Sequence, residues 1–307
     1  MINDETSALD ELDKLSVRGF SEDPAKNEQA ILQAQEMAKS DDDLAALLVR
    51  FCLQEDRTAA FKHFQQSGVP DAIEKLISRF GVDHDSRICD LGCGAGHLAY
   101  SFLQKGYRSI CAMDPNGQWV SGTGYLKSLV GSQINIVNDL DEWYKINHEF
   151  DAVLTYSTIH HWLHIPITAL ETRKTMRPGA YWFAFVEYFA ITPEQLADTI
   201  NAHPTRNLFK LYEWAYPASA YVDLIQSVGF QLEAVVPFGC WNNDLILGSD
   251  VLPENMDVDA ISEFVDENLT GPNGTVEVFW DEVDNKRRNQ RYKRSYLAPQ
   301  AFVFRRV

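Results

Sequence analysis

Hydrophobic and polar residues follow two different periods along this chain. Between about residues 27 and 80, apolar side chains recur every three or four positions, which predicts a group of amphipathic helices. The run 40–43, which is Ser-Asp-Asp-Asp before Leu44, predicts a helix N-cap with acidic residues in the first turn. Short apolar runs that predict strands are 87–90, 107–113, 134–137, 150–155, 181–186, 230–238 and 296–307. Strands that alternate with helices are typical of an α/β fold with a mostly parallel sheet.

The N-terminal part of the chain differs from the rest. Residues 1–26 are polar, acidic and aperiodic, and we expect them to be mobile. Residues 27–80 are expected to form a helical cap. Residues 81–307 then form the main domain, with insertions at about 190–217 and 240–295, because these stretches are much longer than ordinary connections.

The most distinctive segment is 87–97. An apolar run ends in Asp90, and Gly92, Gly94 and Gly96 then occupy every second position before a helical pattern begins. Glycine can take a positive φ and has no Cβ to keep a ligand away from the backbone, and the amides at the helix start face such a ligand. A dinucleotide-binding turn would need G-x-G-x-x-G, but the third glycine comes one position early.

The pattern Asp-x-Gly-x-Gly-x-Gly at 90–96 resembles motif I of the class I S-adenosylmethionine-dependent methyltransferases. Residues 150–161, with Phe-Asp-x-Val and then His-His, resemble motif IV of the small-molecule and ubiquinone-biosynthesis types. Residues 177–180 resemble the turn into the fifth strand of that family. The ordered resemblance covers residues 87 to about 187. It implies a Rossmann-like sheet of seven strands, mostly parallel with an antiparallel last strand, helices on both faces and an N-terminal helical cap.

The resemblance implies that S-adenosylmethionine is the cofactor and S-adenosylhomocysteine the product. Asp114 follows the glycine turn by one βαβ step, where a carboxylate accepts the ribose hydroxyls, although it could instead cap the next helix. Asp139 would accept from the adenine amine, with Asp141 as the competing choice. The implied cofactor-binding set is Asp90, Gly92, Cys93, Gly94, Gly96, Asp114, Pro115, Asp139, Leu140, Thr155 and Tyr156.

The helical cap has two interpretations. It covers one edge of the sheet, or it forms a lid over the methionine end of the cofactor, as methyltransferases of this class often have. Within such a lid, Arg57, Lys62 and His63 would be candidates to meet a carboxylate, and a solvated surface position is the alternative for each.

Three histidines follow the fourth predicted strand. His160 and His164 have the spacing of one helix face, which would suit a metal, but no carboxylate or cysteine completes a set nearby and Pro166 disturbs the helix. We therefore expect no metal site. The resemblance implies His160 as the base that takes the acceptor's proton, His161 as the second choice and Glu187 as orienter or auxiliary base. The alternative is that a histidine packs under the sheet without chemistry.

Charge and cysteine content limit the kinds of binding partner and the compartment that we expect for this protein. The formal net charge of the 307 residues is −17, which repels nucleic acid and anionic membrane surfaces. The five cysteines show no paired spacing, which argues against a disulfide framework. No leader is visible and the longest aromatic-rich run is short for a bilayer span, so we expect a cytoplasmic protein that is not embedded in a membrane.

The two insertions are the expected substrate half. The first is rich in aromatic residues at 208–216, which would form either a wall for an apolar or cationic substrate or an interior of their own. The second is acidic at 250–267 and basic at 286–294. These blocks would neutralise each other within one chain or between the subunits of a homodimer. There are two alternatives. The basic run could bind a phosphate-bearing substrate, or both the acidic and the basic block could simply be solvated.

The sequence therefore predicts methyl transfer from S-adenosylmethionine to an oxygen or nitrogen atom of a small molecule, by in-line displacement. Three alternatives stay open. A methyltransferase could act on a protein or peptide, a relative without activity could bind the same cofactor, and an NAD-dependent oxidoreductase is disfavoured by the position of the third glycine. The acceptor atom does not follow from the fold.

Overall fold

A computed structural model describes residues 24–188, 197, 208–209, 214–216, 218–237 and 299–307. The helices that surround the sheet are α1 (Pro24–Met37), α2 (Asp42–Arg50), α3 (Arg57–Gln66), α4 (Val69–Arg79), α5 (His97–Gln104), α6 (Gly124–Val130), α7 (Leu140–Trp143), α8 (Ile165–Thr175) and α9 (Ala218–Gln226). The strands are β1 (Arg87–Leu91), β2 (Ser109–Met113), β3 (Asn135–Val137), β4 (Phe150–Tyr156), β5 (Met176–Phe185), β6 (Phe230–Pro237) and β7 (Pro299–Arg306). None of the helices in these ranges is long and apolar enough to cross a membrane. The predicted insertion at 240–295, most of that at 190–217 and the N-terminus up to residue 23 lie outside the described residues.

The seven strands form one mixed sheet in the order β3-β2-β1-β4-β5-β7-β6. β1 pairs in parallel with β2, where Cys89 faces Cys111, and with β4, where Cys89 faces Val153. β7 runs antiparallel to both β5 and β6. This confirms the predicted mostly parallel, seven-stranded α/β fold with an antiparallel last strand. Because the strand order reverses between β1 and β4, a crevice opens beyond their carboxyl ends, where ligands bind in sheets of this kind.

Apolar side chains cover both faces of the sheet. Successive residues of a strand point to opposite faces, so Ile88 and Cys89 belong to two different buried clusters. On one face the sheet packs against Phe61 of α3 and Ile73 of α4. On the other face it packs against α8 and against Tyr221 of α9. Burial on both faces explains why the central strands are nearly continuous apolar runs.

The helical cap is divided between two places. α3 and α4 pack on the sheet, whereas α1 and α2 form a separate small cluster around Ile31. That cluster also contains Val120, from the loop after β2, and Phe209, from the segment after β5. Within the predicted run 40–43 the N-cap of α2 is Asp41, whose side chain accepts a hydrogen bond from the Leu44 amide at 3.0 Å, and the two acids after it lie in the first turn. α1 and α2 therefore lie beside segments that follow the carboxyl ends of strands.

One predicted boundary is wrong. The turn at 177–180 was expected to precede the fifth strand, but β5 already begins at Met176 and the turn is a bulge inside it. Two steps along β4 match five steps along β5 at this point. Gly179 has φ +78° and Pro178 has no amide to donate, so this stretch leaves the ladder without ending the strand.

Candidate active site

The glycine turn joins β1 to α5 at the crevice. The amides of Gly92 and Cys93 donate to the carbonyl oxygen of Met113 at 2.8 and 3.1 Å, which fixes the turn against the end of β2. Gly92 has φ +69°, and a Cβ added there would overlap the Thr158 side chain. Gly96 has φ +81° and is the N-cap of α5. The turn thus depends on residues without side chains, as the pattern predicts.

We expect Gly92→Ala to lower the free energy of unfolding by about 3 kcal/mol, since the methyl group adds positive-φ strain and overlaps Thr158. Gly94→Ala is the matched control, because Gly94 has φ +54° but open space at the Cβ position, and its loss should be about 1 kcal/mol. Thr158→Ser removes the overlapping methyl group and should recover part of the loss in Gly92→Ala. Urea denaturation measures the free energy of unfolding of the wild type, the two glycine variants and the double variant with Thr158→Ser. Equal losses of stability in the two glycine variants would contradict the overlap.

Asp114 ends β2 and lies against the glycine turn. Its Oδ2 accepts a hydrogen bond from the Gly94 amide at 2.8 Å, and its Oδ1 accepts one from the Asn116 amide at 2.8 Å. Burial raises the pKa of Asp114 to about 6, and the two amide hydrogen bonds oppose that rise. The structure therefore brings two of the predicted cofactor residues, Asp114 and Gly94, into direct contact.

Asp90 lies in β1 and holds the start of α5. Its Oδ2 accepts a hydrogen bond from the Ala99 amide in the first turn of the helix, at 3.0 Å. Burial raises the pKa of Asp90 to about 7; the hydrogen bond from Ala99 lowers it, and the charge of Asp114 raises it further. In this structure Asp90 supports the glycine turn from inside the protein.

Four other predicted cofactor residues occupy different surroundings. Thr155 is fully buried, and its hydroxyl accepts a hydrogen bond from the Trp182 indole at 3.0 Å. Tyr156 is half-buried and packs edge-on against α3. Cys93 and Pro115 are half-buried beside the turn and after β2, and burial raises the pKa of the Cys93 thiol. The Thr155 side chain is thus engaged within the sheet, whereas the other three are half-buried at or just after the ends of their strands.

The loop after β3 carries the predicted adenine acid. Asp139 is exposed and caps α7 by accepting a hydrogen bond from the Asp141 amide at 2.7 Å, and the half-buried Leu140 begins that helix. Sequence reasoning did not select Asn138, whose Nδ2 donates to the main-chain oxygen of Asp114 at 2.6 Å. An asparagine directly after a strand is a weak signal, because ordinary turns favour the same residue.

His160 and Glu187 meet where β4 and β5 end. His160 Nδ1 lies 2.7 Å from Glu187 Oε2, and the His160 amide donates to the same oxygen at 3.0 Å. Glu187 Oε1 accepts hydrogen bonds from the amides of Thr158 and Ile159 at 3.2 and 3.0 Å. Both His160 and Glu187 are buried. One carboxylate therefore holds both the imidazole ring and the backbone turn that carries it.

Two of the four non-glycine residues with positive φ in the described part of the chain lie beside this pair. Ser157 has φ +53° and Val186 has φ +59°, values that are rare for residues with a side chain and most unusual for a branched one. The Ser157 amide donates to the carbonyl oxygen of Phe185 at 2.8 Å, which ties the ends of β4 and β5 together. Strained residues of this kind occur preferentially at functional sites. Here the two strained residues directly precede the two parts that meet: Ser157 precedes the turn at 158–160, and Val186 precedes Glu187.

The other two predicted histidines differ in exposure. His161 is half-buried, and its ring centroid lies 4.2 Å from that of His160. His164 is exposed and is the N-cap of α8. In the part of the chain that the structure describes, no group of three or more His, Cys, Asp or Glu side chains is placed to hold a metal ion.

Arg57 is a buried cation of the cap, close to the glycine turn. It begins α3, is 4% exposed, donates to the Cys52 carbonyl oxygen at 2.6 Å and lies 3.4 Å from Nε2 of His97, the first residue of α5. Within the described ranges, its Nε has no hydrogen-bond partner. Burial, with the nearby Arg57 charge, lowers the pKa of His97 to about 3, so that ring is neutral. The other two cationic candidates, Lys62 and His63, are exposed and half-buried.

Comparison with known proteins gives a family match and a relative of known sequence. A family model described as a methyltransferase domain matches residues 61–235. A trans-aconitate 2-methyltransferase of Mycolicibacterium gilvum (strain PYR-GCK) is 27% identical over an alignment of 168 residues that covers 52% of this chain and 63% of that protein. The alignment thus spans less than two thirds of that relative's length.

Solved structures with a similar chain path include two methyltransferases. A geranyl diphosphate methyltransferase in complex with SAM superposes with a TM-score of 0.47 and 12% identity, over 77% of this chain and 84% of that one. A 1,6-didemethyltoxoflavin-N1-methyltransferase of Burkholderia thailandensis superposes with a TM-score of 0.39 and 15% identity, over 63% and 80%.

Proposed function

Because the chain belongs to the class I S-adenosylmethionine-dependent methyltransferases, we propose that it transfers a methyl group from S-adenosylmethionine to an oxygen or nitrogen atom of a small molecule. The observation that carries the proposal is the contact between the Asp114 carboxylate and the Gly94 amide at 2.8 Å, at the reversal point of the sheet. A carboxylate there can accept both ribose hydroxyls, while the turn beside it lets a ligand approach the backbone.

Four features of the site fit the cofactor. A Cβ at Gly92 would overlap Thr158, so the turn can pack there only with glycine, whereas the Cβ position of Gly94 is open. Asp114 supplies the ribose acceptor, and Asp139 with Leu140 lies at the loop proposed for the adenine. Arg57 supplies a buried positive charge at the opposite end, which suits the carboxylate of the methionine part.

His160 is the proposed base. When bound, S-adenosylmethionine would supply an electrophilic methyl group and would leave as S-adenosylhomocysteine, whose sulfur keeps the electron pair of the broken bond. In this proposal Glu187 Oε2 accepts a hydrogen bond from Nδ1–H of His160 across 2.7 Å, so Nε2 is the basic nitrogen of the neutral ring. Nε2 takes the proton of an acceptor hydroxyl or protonated amine, and the ionised Glu187 stabilises the resulting imidazolium. His161, 4.2 Å away between ring centroids, is the second choice.

Calorimetry with S-adenosylmethionine and S-adenosylhomocysteine tests the cofactor half of the proposal, with NAD as the control ligand. Transfer of a labelled methyl group to a panel of hydroxylated, amine and carboxylate acceptors tests the chemistry. Trans-aconitate belongs in that panel because the relative from Mycolicibacterium gilvum is named for it. Binding without transfer to any acceptor would favour a relative without activity, and transfer to basic peptides alone would favour a peptide methyltransferase.

We expect Arg57→Gln to weaken binding of S-adenosylhomocysteine about thirtyfold, because a buried charge-assisted contact is worth about 2 kcal/mol. Binding of 5′-methylthioadenosine, which lacks the amino-acid part, should change less than about twofold, because no carboxylate remains to pair. Lys62→Gln, an exposed position on the same helix, is the control. Equal weakening for both ligands would mean that Arg57 only holds the cap in place.

We also infer a reducing compartment such as the cytoplasm. Cys52, Cys89, Cys93 and Cys111 are free thiols in the described part of the chain, and none of them is exposed. Free cysteines are usual where thiols are kept reduced. The net charge of −17 supports a small acceptor over nucleic acid, since it repels polyanions.

A further inference from the structure

The carboxylate of Glu28 in α1 binds the loop that follows β2. Its Oε1 accepts a hydrogen bond from the Val120 amide at 2.9 Å. Its Oε2 accepts from the Ser121 amide at 2.8 Å and from the Ser121 hydroxyl at 2.7 Å. Glu28 is only 9% exposed and lies about ninety residues away in the chain. A buried carboxylate with three donors from one loop is a specific attachment, because each lost bond would leave a buried polar group unpaired.

The same loop leads back to the ribose acid. The Ser121 hydroxyl accepts a hydrogen bond from the Asn116 side chain at 3.0 Å. The Asn116 amide donates to Asp114 Oδ1 at 2.8 Å, and Asp114 Oδ2 accepts from the Gly94 amide at 2.8 Å. A continuous hydrogen-bonded path therefore runs from Glu28 through Ser121, Asn116 and Asp114 to the glycine turn.

The residue before Glu28 makes an independent attachment. Asn27 Nδ2 donates to the main-chain oxygen of Phe209 at 2.9 Å, in buried surroundings. Phe209 is fully buried and packs in the same apolar cluster as Val120. Two adjacent residues of α1 thus hold different segments: Glu28 holds the cofactor loop, and Asn27 holds a segment that follows β5.

We propose that Glu28 is a positioning residue for the cofactor site, which couples the docking of α1 to the orientation of Asp114 through Ser121 and Asn116. The inference rests on the proposed function, since it takes Asp114 as the ribose acceptor. The coupling is reciprocal, so a bound cofactor also tightens the attachment of α1. α1 is then part of the cofactor site although it contributes no ligand-binding side chain.

Glu28→Gln tests the inference, because glutamine keeps the shape but turns one oxygen into a donor that faces a loop donor. We expect the dissociation constant of S-adenosylhomocysteine to rise about tenfold in calorimetry. Asn27→Ala is the matched control: it loosens the same helix at the neighbouring residue but does not touch the path to Asp114, so its affinity should stay within about twofold of the wild type.

Two further measurements separate positioning from loss of folding. Ser121→Ala interrupts the path while leaving the Val120 and Ser121 amides for Glu28, and should also weaken binding. The double variant with Glu28→Gln and Ser121→Ala should then bind S-adenosylhomocysteine no more weakly than the weaker-binding single variant, because both substitutions interrupt the same path. Hydrogen exchange in residues 116–121 should slow when S-adenosylhomocysteine binds the wild type, and slow less in Glu28→Gln.

Equal weakening in Glu28→Gln and Asn27→Ala would overturn the inference, because both would then act by loosening the helix. Wild-type affinity in Glu28→Gln would overturn it as well, and would leave the proposed function intact. Absence of binding to the wild type would instead overturn the proposed function, and this inference with it.

Discussion

Lowering the pH from 7 to 5 is expected to weaken binding of S-adenosylhomocysteine about tenfold. Burial raises the pKa of Asp114 to about 6, so this carboxyl group is mostly protonated at pH 5. In the proposed role of Asp114, ribose hydroxyls would donate to the ionised carboxylate, and bound ligand would therefore lower the pKa of Asp114. Binding below pH 6 must release a proton, and the dissociation constant rises as the pH falls.

Asp114→Asn should abolish this pH dependence and weaken binding at pH 7.5 at least about a hundredfold, because two hydrogen bonds to a charge are lost. Asp90→Asn is the matched control. Burial raises the pKa of Asp90 to about 7, and asparagine still accepts from the Ala99 amide, so the fall in affinity near pH 6 should remain. Calorimetry in buffers of different ionisation enthalpy counts the released proton. If the affinity for S-adenosylhomocysteine does not change between pH 5 and pH 8, the ribose role of Asp114 is contradicted.

Weaker binding at pH 5 would not arise from acid unfolding through these two groups. Their folded pKa values of about 6 and 7 lie above that of an unfolded aspartate, near 3.9. The folded protein therefore holds these protons more tightly than the unfolded chain. The stability that this supplies is fully present below about pH 4 and is lost as the pH rises through 6 to 7. Thermal unfolding at each pH provides the check.

His160→Ala is expected to lower kcat about 100- to 1,000-fold while the affinity for S-adenosylhomocysteine changes less than about twofold. The ring lies 2.7 Å from Glu187. In the proposed role it takes the proton of the acceptor, so its loss should slow the chemical step and leave cofactor binding nearly unchanged. Single-turnover transfer of a labelled methyl group, with the acceptor found in the panel, measures the effect.

Two other histidines supply the controls for this result. His164→Ala alters an exposed histidine and should leave kcat unchanged. His161→Ala separates the two candidate bases, since a large loss there with normal turnover in His160→Ala would transfer the role to His161. Full activity in both variants would show that neither histidine is the base.

Glu187→Gln should reduce kcat by a similar factor and should also lower the free energy of unfolding, by about 2 kcal/mol. Glutamine cannot satisfy all the donors that the carboxylate now accepts, which are the amides of 158–160 and His160 Nδ1. If only stability changes, Glu187 shapes the turn without taking part in catalysis.

Local pattern accounts for the elements and their order. Apolar runs and capping residues predicted most helices and strands to within a few residues, and the 90–96 pattern placed the glycine turn. These features depend on backbone dihedral preferences and side-chain periodicity, which short segments carry by themselves. The sequence did not predict the bulge in β5, because a Pro-Gly pair marks a break in strand pairing without showing whether the strand continues after it.

Contacts between distant segments needed the tertiary structure. The resemblance implied the pairing of His160 and Glu187, but the burial of both became visible only in the fold. In the sequence, Arg57 was one of three cationic candidates with a solvated position as the alternative, and no local pattern distinguished Glu28 from other acidic residues. A charged residue in a helical pattern is normally solvated, and nothing nearby in sequence shows which one will be buried.

Sequence thus settled the α/β class, the glycine turn and the spacing from Asp90 to Asp114, since each depends on neighbouring residues and on one βαβ step. The tertiary structure decided that Asp90 supports α5, that the Thr155 hydroxyl serves Trp182 and that Glu28 reaches the loop after β2. Those outcomes depend on which surfaces meet when the layers pack. Packing brings together donors and acceptors from segments that have no local relation in the chain.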